Sequence, residues 1–364
     1  MSKETKLAVK PYRLAVAGVA ATGVLAISAC GEAPDEEDSG GDNAEASFLA
    51  CMITDSGGVD DQSFNESSWQ GMLDAAEENS DIKVEYKESS ADTDYDPNLR
   101  AAVDDGCDFI VGVGGLMTEN VDTVASENPD LEFAIVDGLS EVENVYSVEF
   151  DAAQSAFLAG YIAAAQSETG TVATWGGMQI PPVTIFMDGF AEGIEYYNEN
   201  KGGEVELLGW DVESQEGTFL NNFEDTAAGK STTETFMAQG ADIIFPVAGP
   251  AGIGGLTATA EDDSVHAIWV DTDGYESTEF GSELITSAEK DLAEAVKDAV
   301  LAAYDGDVSG SYVGTLANDG VGIAPYHDFE SIVSDETKTE VEELKQAIID
   351  GEVTVESPAS PVTE

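Results

Sequence analysis

The residues with the clearest potential for chemistry lie between positions 55 and 65, in the run DSGGVDDQSFN. An aromatic ring such as Phe64 can stack on a flat ring of a ligand. The side chains of Asp55 and Asn65 can accept or donate hydrogen bonds at the edge of the same ring. These three residues are therefore candidate ligand-binding residues.

Two secondary-structure elements must hold this run in place. The β-rich residues 48–54 predict a strand before it, and the spacing of Trp69, Met72 and Ala76 predicts a helix over 64–79 after it. Ser63 and Glu66 have the spacing of a capping box, which would fix the start of that helix. Ligands of open α/β sheets bind beyond the carboxyl ends of the strands, and the run lies at such an end.

The chain continues as an alternation of strand and helix patterns, which predicts parallel sheets with right-handed crossovers. The predicted strands are 48–54, 83–87, 108–113, 132–136, 145–150, 171–175, 205–210, 243–247, 265–270 and 284–286, with two short strands in 311–324. The predicted helices are 64–79, 97–105, 118–127, 152–166, 183–198, 226–239, 253–261, 292–304 and 330–349. The pattern restarts after about residue 150, which indicates two doubly wound α/β lobes joined by a hinge. We assign 47–150 plus 275–307 to an N-terminal lobe and 151–274 plus 308–364 to a C-terminal lobe, with a ligand between them.

Residues 1–29 have the pattern of a bacterial lipoprotein signal peptide. A basic segment from Lys3 to Arg13 precedes an uncharged apolar stretch over 14–27, and the run ISAC at 27–30 resembles a lipobox. Cys30 would then be the lipidated first residue of the mature protein, with 30–46 as an acidic flexible tether. This predicts a protein anchored by lipid on the extracytoplasmic face of the cell membrane. An uncleaved anchor or an ordinary signal peptide are the alternatives.

The chain is strongly acidic, with 13 Lys and Arg against 74 Asp and Glu and a formal charge of −61. Four basic residues and one acid lie in residues 1–29, so the mature part has 9 basic residues against 73 acids, a charge of −64. Nucleic acids and anionic lipids require basic patches, so this charge argues against both as partners. The acids are spread through foldable segments, which we interpret as a halophilic adaptation to high salt, where screening is short-ranged.

No catalytic, metal or cofactor signature is complete in the sequence. Cys51 and Cys107 could form a disulfide in an exported chain, and the sequence leaves this pairing open. No CxxC or Cys/His cluster with zinc spacing occurs. Asp92, Asp94 and Asp96 have the opening spacing of a calcium loop, but its Gly and Glu are missing. We therefore predict no catalytic residues, no metal, no cofactor and no enzymatic activity.

Several runs in order resemble one family, the Bmp or PnrA-type substrate-binding lipoproteins of ABC transporters. The matching runs are DSGGVDDQSFN at 55–65, WGG at 175–177, the Phe and Gly positions of 186–193, FPVAG at 245–249, VDTD at 270–273, TS at 286–287 with Lys290, and GEVTV at 351–355. The resemblance covers about residues 47–357, and the segment around Phe64 is its most specific part. The chain departs from the family pattern at Gln62, Pro250, Ala251 and Gly274, where members often have Lys, Gly, Thr and Gln.

The resemblance implies a type I periplasmic-binding-protein-like fold and a purine nucleoside as ligand. Two aromatic residues, Phe64 and Phe245, would stack on the base. Asp55, Asn65 and Asp137 would bind the polar edge of the base. Asp273 and Lys290 would bind the ribose and pair with each other, and the backbone of Gly249 would contribute. Asp271 ends the same strand as Asp273 and is the alternative to it.

The resemblance also implies the partners, which are the permease subunits of an ABC importer and the membrane that holds the lipid on Cys30. A monomer is expected. Alternatives from other classes stay open at this point. They are a binding protein for a sugar or another small polar solute, a surface enzyme that cleaves nucleosides or sugars, and a surface lipoprotein without a transport role.

Overall fold

Two six-stranded sheets form the two lobes of the protein. The computed structural model describes residues 47–362. The strands of the first sheet are β1 (Phe48–Ile53), β2 (Ile82–Lys87), β3 (Phe109–Val113), β4 (Glu132–Val136), β5 (Val145–Phe150) and β13 (Ser311–Gly314). Their order across the sheet is β2-β1-β3-β4-β5-β13, and every neighbouring pair is parallel.

The second sheet repeats this arrangement. Its strands are β6 (Thr171–Gly176), β7 (Glu206–Leu208), β10 (Ile243–Val247), β11 (His266–Asp271), β12 (Leu284–Lys290) and β14 (Val321–Ile323). Their order is β7-β6-β10-β11-β12-β14, and all pairs are parallel except β12 with β14. A small hairpin of β8 (Trp210–Asp211) and β9 (Glu216–Gly217) stands apart from both sheets.

Helices cover both sheets. They are α1 (Phe64–Glu78), α2 (Tyr95–Asp104), α3 (Thr118–Glu127), α4 (Ala153–Gln166), α5 (Pro181–Lys201), α6 (Thr226–Met237), α7 (Pro250–Thr259), α8 (Gly274–Ser277), α9 (Leu292–Asp305) and α10 (Asp335–Ile349). Single 3₁₀ turns occur at Asp92–Asp94, Gly115–Met117, Gly281–Glu283, Leu316–Asn318 and His327–Phe329. Every residue of the central strands β3 and β10 is buried, as expected for parallel strands with helices on both faces. The predicted fold class of two doubly wound parallel-sheet lobes is confirmed.

The predicted lobe boundaries at 275 and 308 do not match the strand pairing. Strand β12 pairs with β11 and so belongs to the second sheet, whereas β13 pairs with β5 and so belongs to the first. Helix α9 packs on α1 of the first lobe, and its Tyr304 ring meets Phe48 edge-on at 5.6 Å. The chain therefore crosses between the sheets after β5, after β12 and between β13 and β14.

A disulfide links Cys51 in β1 to Cys107, which lies just before β3, with 6.0 Å between their Cα atoms. The sequence left this pairing open. Because β1 and β3 are neighbours in the sheet, the link fastens two core strands of the first lobe. Within residues 47–362, no helix has the length and apolar character needed to cross a membrane. The predicted signal peptide, Cys30 and the tether over 30–46 lie outside the described residues.

Candidate ligand-binding site

A cavity lies between the carboxyl ends of the strands of both lobes. Its polar lining residues are Asp55, Ser56, Asp61, Asp137, Asp271 and Lys290. Its larger apolar lining residues are Phe64, Leu116, Ile180, Pro182, Val183, Phe186, Phe223, Val247, Pro250 and Val270.

Two aspartates occupy equivalent places in the two lobes. Asp137 follows β4, the fourth strand of the first sheet order, and Asp271 ends β11, the fourth strand of the second. Both residues have left-handed backbone conformations, with φ of 58° and 69°. Such values are uncommon for residues other than glycine and cluster at functional sites, although Asp tolerates them better than most residues do.

Lys290, the last residue of β12, lies between these two aspartates. Its Nζ donates a hydrogen bond to Asp137 Oδ2 at 2.6 Å and lies 3.4 Å from Asp271 Oδ1. Only 2 % of its side chain is exposed. The ammonium also lies 5.4 Å from the ring centre of Phe64 and 4.9 Å from that of Phe186. Because Asp137 belongs to the first lobe and Lys290 to the second, this ion pair joins the lobes across the cleft.

Burial disfavours the charged forms of both Asp137 and Lys290. Burial raises the pKa of Asp137, and the nearby Lys290 ammonium offsets only part of that rise. Burial lowers the pKa of Lys290, but the charges of Asp137 and Asp271 outweigh it, so the net direction is upward. The lysine therefore stays charged at neutral pH, and any ligand in the cavity meets a cation that is already paired.

Asp55 follows β1 and is held by Asn65. The Asn65 Nδ2 group donates to Asp55 Oδ1 at 2.9 Å, and Asn65 itself is buried and does not line the cavity. The other carboxylate oxygen of Asp55 lies against Gly114, where a Cβ would come within 2.5 Å of Asp55 Oδ2. Gly114 has a φ of 114°, so glycine is needed there both for the backbone and for the space.

Burial favours the protonated form of the Asp55 carboxyl. Burial raises its pKa to about 8, against the opposing hydrogen bond from Asn65 and with help from the charges of Asp61, Asp137 and Asp271. A protonated carboxyl can donate as well as accept a hydrogen bond. Asp55 can therefore bind either kind of polar group on a ligand.

Asp61, which the sequence did not single out, caps helix α1. Its Oδ1 accepts from the backbone N–H groups of Ser63 and Glu66, and its Oδ2 accepts from the N–H of Asn65. The predicted capping box is therefore wrong, because Ser63 makes no capping hydrogen bond. Burial raises the pKa of Asp61 to about 6, although these three N–H groups oppose the rise.

The hydroxyl of Ser63 does not cap α1 as predicted but forms a hydrogen bond to the second lobe. It donates to Asp271 Oδ2 at 2.9 Å, across the cleft between the lobes. The neighbouring carbonyl of Gln62 accepts from Ser277 Oγ at 3.1 Å and from Trp269 Nε1 at 3.4 Å. The start of α1, which carries Phe64, is thus fastened to the second lobe beside the cavity.

The aromatic walls only partly match the prediction. Phe64 lines the cavity, as predicted, but Phe245 does not. Phe245 is fully buried behind the wall, where its ring packs against Phe186 at 6.2 Å and Phe190 at 4.9 Å between ring centres. Phe186 and Phe223 are the aromatic residues that the second lobe presents to the cavity. Phe186 lies near the start of α5, the helix that follows β6, and this position at the same sheet edge is the sequence signal that could have identified it.

Asp273 lies away from the cavity, in contrast to the prediction. Its Oδ1 accepts from the N–H of Tyr275 and its Oδ2 lies 2.7 Å from His327 Nε2. It caps α8 and lies against His327, whereas Lys290 pairs with Asp137 and lies near Asp271 instead. Gly249 lines the cavity directly before α7, as predicted.

The arrangement is suited to binding. It combines aromatic faces with buried hydrogen-bonding groups, and closure of the lobes would remove a small solute from water. The acids in the cavity outnumber its one lysine, which disfavours anionic ligands. Among residues 47–362, no cluster of three or more His, Cys, Asp or Glu side chains has the geometry of a metal site.

Comparison with known families agrees with this geometry. Residues 48–358 match the family model described as ABC transporter substrate-binding protein PnrA-like, the Bmp family. The chain belongs to the Bmp family. Two relatives span nearly the whole chain. A protein of Listeria innocua named CD4+ T-cell-stimulating antigen is 30 % identical over 95 % of this chain and 98 % of its own. The ABC transporter nucleoside-binding protein BmpA of Lactococcus lactis is 29 % identical over 94 % and 98 %.

Solved structures share the fold of this chain. An ABC transporter solute-binding protein from Aeropyrum pernix K1 superposes with a TM-score of 0.76 at 27 % identity, over 85 % of this chain and 94 % of its own. A glucose-galactose binding protein from Geobacillus stearothermophilus superposes with a TM-score of 0.56 at 14 % identity, over 78 % and 98 %, and shares the fold alone. The Bmp chain therefore has the type I binding-protein fold predicted from its sequence.

Proposed function

We propose that this Bmp protein is the extracytoplasmic solute-binding subunit of an ABC importer and that its ligand is a purine nucleoside. The observation that supports this most directly is that aromatic and polar residues from both lobes line one cavity. Phe64 and Asp55 face it from the first lobe, and Phe186 and Phe223 face it from the second. A purine needs an aromatic face and hydrogen-bonding partners at its edge, and this cavity offers both.

The polar groups of the cavity agree with a neutral nucleoside. Asp55, held in place by the hydrogen bond from Asn65, would bind the edge of the base, whereas Asn65 itself is buried behind it. Asp137, Asp271 and Lys290 would bind the ribose hydroxyls with charge-assisted hydrogen bonds. A nucleotide would bring a phosphate close to several carboxylates with a single lysine that is already paired. We therefore expect nucleosides to bind and nucleotides to be rejected.

Calorimetry with adenosine, guanosine and inosine tests this proposal. Adenine, ribose, glucose and adenosine 5′-phosphate serve as comparison ligands in the same buffer. Saturable binding of at least one nucleoside, with weaker binding of the base, the sugars and the nucleotide, is the expected result. Binding of a sugar but of no nucleoside would favour the competing interpretation as a sugar-binding protein, since carboxylates also bind sugar hydroxyls.

We further propose that the protein binds its ligand without changing it, as a monomer. The nucleoside recovered from the complex after prolonged incubation should be intact by chromatography and mass spectrometry. The appearance of free base would indicate a nucleoside-cleaving enzyme instead. Mass spectrometry of small molecules released from natively purified protein would also identify the solute directly.

The membrane attachment belongs to the same proposal. Cys30 would carry the lipid, residues 31–46 would span the distance to the folded part, and permease subunits would receive the solute. The three cysteines of the chain divide into Cys30 and the disulfide-bonded pair. In a cell fractionation experiment, Cys30→Ser should move the protein from the membrane to the soluble fraction. Retention of the variant in the membrane would exclude Cys30 as the anchor.

A further inference from the structure

A second cavity adjoins the first one. Both cavities share the residues Gly115, Leu116, Asp137, Ile180, Pro182 and Lys290. The Asp137–Lys290 ion pair therefore lies where the two cavities adjoin.

The walls of the second cavity are mainly apolar. Leu116, Ile185 and Pro182 line it, and so does Leu139, whose 60 % exposure is high for a leucine. An exposed leucine at the mouth of a cavity gains stability when an apolar group covers it.

The charged groups that face this cavity restrict what can enter it. Glu149 and Asp137 are both carboxylates, and the one cation, Lys290, is held by Asp137 and Asp271. Burial and the charge of Asp137 raise the pKa of Glu149. A phosphate or carboxylate substituent would meet these acids without a free cation to bind it.

The C-terminal segment closes one side of the cavity through Ala359 and Pro361. Ser357 Oγ donates to Asp188 Oδ2 at 2.6 Å, and Asp188 is fully buried. Ser360 Oγ donates to Asp151 Oδ1 at 2.9 Å. These hydrogen bonds hold the segment in a fixed position, so the cavity is bounded by anchored residues.

We propose that the second cavity is a subsite of the binding cleft that takes an uncharged, apolar substituent of the solute held in the first cavity. This inference rests on the proposed function, because it extends a nucleoside ligand. It predicts that nucleosides with an added apolar chain bind more tightly than the unmodified nucleosides. Burial of each methylene is expected to improve affinity by about fourfold.

Calorimetry with three ligands on the full chain tests the subsite. They are adenosine, an adenosine with a four-carbon alkylthio chain at the 5′ position, and an adenosine with a four-carbon chain on the N6 nitrogen. We expect one of the two extended ligands to bind at least 10-fold more tightly than adenosine. The position that gains affinity shows which end of the nucleoside points past Asp137 and Lys290.

Two variants connect that gain to the second cavity. Leu139→Asp should remove most of the gain, and Ala359→Trp, which fills the space, should weaken binding of the extended ligand at least 10-fold. Both should change the affinity for adenosine less than twofold. Leu73→Asp is the matched control, because Leu73 is an exposed leucine of α1 that does not line either cavity.

The outcomes separate this inference from the proposed function. If adenosine binds but neither extended ligand binds more tightly, the second cavity is not a subsite and the proposed function stands. The same conclusion follows if the gain persists in both variants, or if Ala359→Trp weakens adenosine and the extended ligand equally. If no nucleoside binds at all, the proposed function and the subsite both fail.

Discussion

The two lobes use equivalent strand ends for different chemistry. In the first lobe, β1 is followed by Asp55, whose carboxyl lines the cavity. In the second lobe, the equivalent strand β6 is followed by Gly177, and a Cβ there would collide with the ring of Phe223. The same topological position thus carries a polar side chain in one lobe and makes room for an aromatic ring in the other.

The difference indicates that the two lobes supply different kinds of contact to the cleft. The first lobe supplies most of the groups that can read the polar edge of a ligand. The second lobe supplies most of the apolar surface, and Asp271 with Lys290 is its polar contribution. Lobe closure then places apolar surface over polar groups, which excludes water and strengthens their hydrogen bonds. Substitutions on the two walls should therefore have different effects.

The largest effect on stability is expected for Lys290, which lies where the two lobes meet. Lys290→Met keeps the length of the side chain but leaves Asp137 and Asp271 buried without their cation. Loss of one partner of a buried ion pair costs about 3 to 5 kcal/mol, so the free energy of unfolding measured in denaturant should fall by roughly that amount.

A matched control and a rescue make this test specific. Lys297→Met removes a lysine whose partner Glu294 lies at the surface, and should cost about 1 kcal/mol or less. Lys290→Met combined with Asp137→Asn should recover part of the lost stability, because one buried charge is removed as well. Equal losses for Lys290→Met and Lys297→Met would show that the buried pair does not stabilise the closed cleft.

The next effect distinguishes a wall residue from a core residue. Phe64→Ala should weaken nucleoside binding roughly 10- to 100-fold, since stacking of a base on an aromatic ring contributes ~1–3 kcal/mol. Phe245→Ala should instead lower the free energy of unfolding by about 3 to 5 kcal/mol, because it leaves a cavity in the core. Calorimetry and denaturant unfolding of both variants provide the comparison. A Phe64 variant with unchanged affinity and reduced stability would place Phe64 in the core.

A third effect concerns the protonation of Asp55. Its pKa is about 8 in the folded protein and 3.8 in its ordinary state, so folding takes up a proton between these values. The contribution of this group to stability is therefore full below pH 4, falls as pH rises, and is lost above pH 8. Between pH 5 and 7 the decrease is about 1.3 kcal/mol per pH unit, and it becomes smaller as pH approaches 8.

Asp55→Asn should remove the part of the pH dependence of stability that comes from Asp55. The part that comes from the other titratable groups should remain. Unfolding of the wild type and the variant should be compared in denaturant at several pH values between 5 and 9. The difference in stability between them should change with pH up to about 8 and stay constant above it. A difference that is independent of pH over this whole range would mean that Asp55 is ionised in the folded protein.

The smallest effect on stability is expected for Phe186, which the second lobe presents to the cavity. Phe186→Leu keeps an apolar side chain but removes the ring that faces the ammonium of Lys290 at 4.9 Å. Cation–π contacts contribute about 0.5 to 2 kcal/mol, so the stability should fall by roughly that amount. Denaturant unfolding measures it. A loss larger than that of Lys290→Met would contradict the view that charge pairing dominates where the lobes meet.

The sequence predicted the elements of the fold better than the way the chain crosses between lobes. Strand and helix periodicity identified the strand over 284–286 and the helix over 292–304 correctly. Periodicity does not show which sheet a strand joins, so the return to the first lobe was placed before β12 instead of after it. The lobe assignment of β13 was missed for the same reason, because its pairing with β5 is remote in sequence.

The site was predictable where a residue directly follows a strand, and less so elsewhere. Asp55, Asp137 and Lys290 stand at strand ends, and all three line the cavity. Phe245 lies within a strand that is buried on both faces, so alternation cannot tell the cleft side from the core side. Asp271 and Asp273 both end β11 in the sequence pattern, and only the left-handed turn at Asp271 separates them.

The late position of α9 and β13 in the chain affects how the protein folds during synthesis. Until residues 292–314 are available, β5 remains an unpaired sheet edge and the face of α1 that packs on α9 remains uncovered. Most of the second lobe precedes those residues, so the first lobe cannot be completed before the second has largely been made. The two lobes therefore depend on each other for folding, and long-range pairing of this kind is slow. A nascent chain that stops before residue 292 would expose an open edge and an apolar helix face, which are the surfaces that chaperones and proteases recognise.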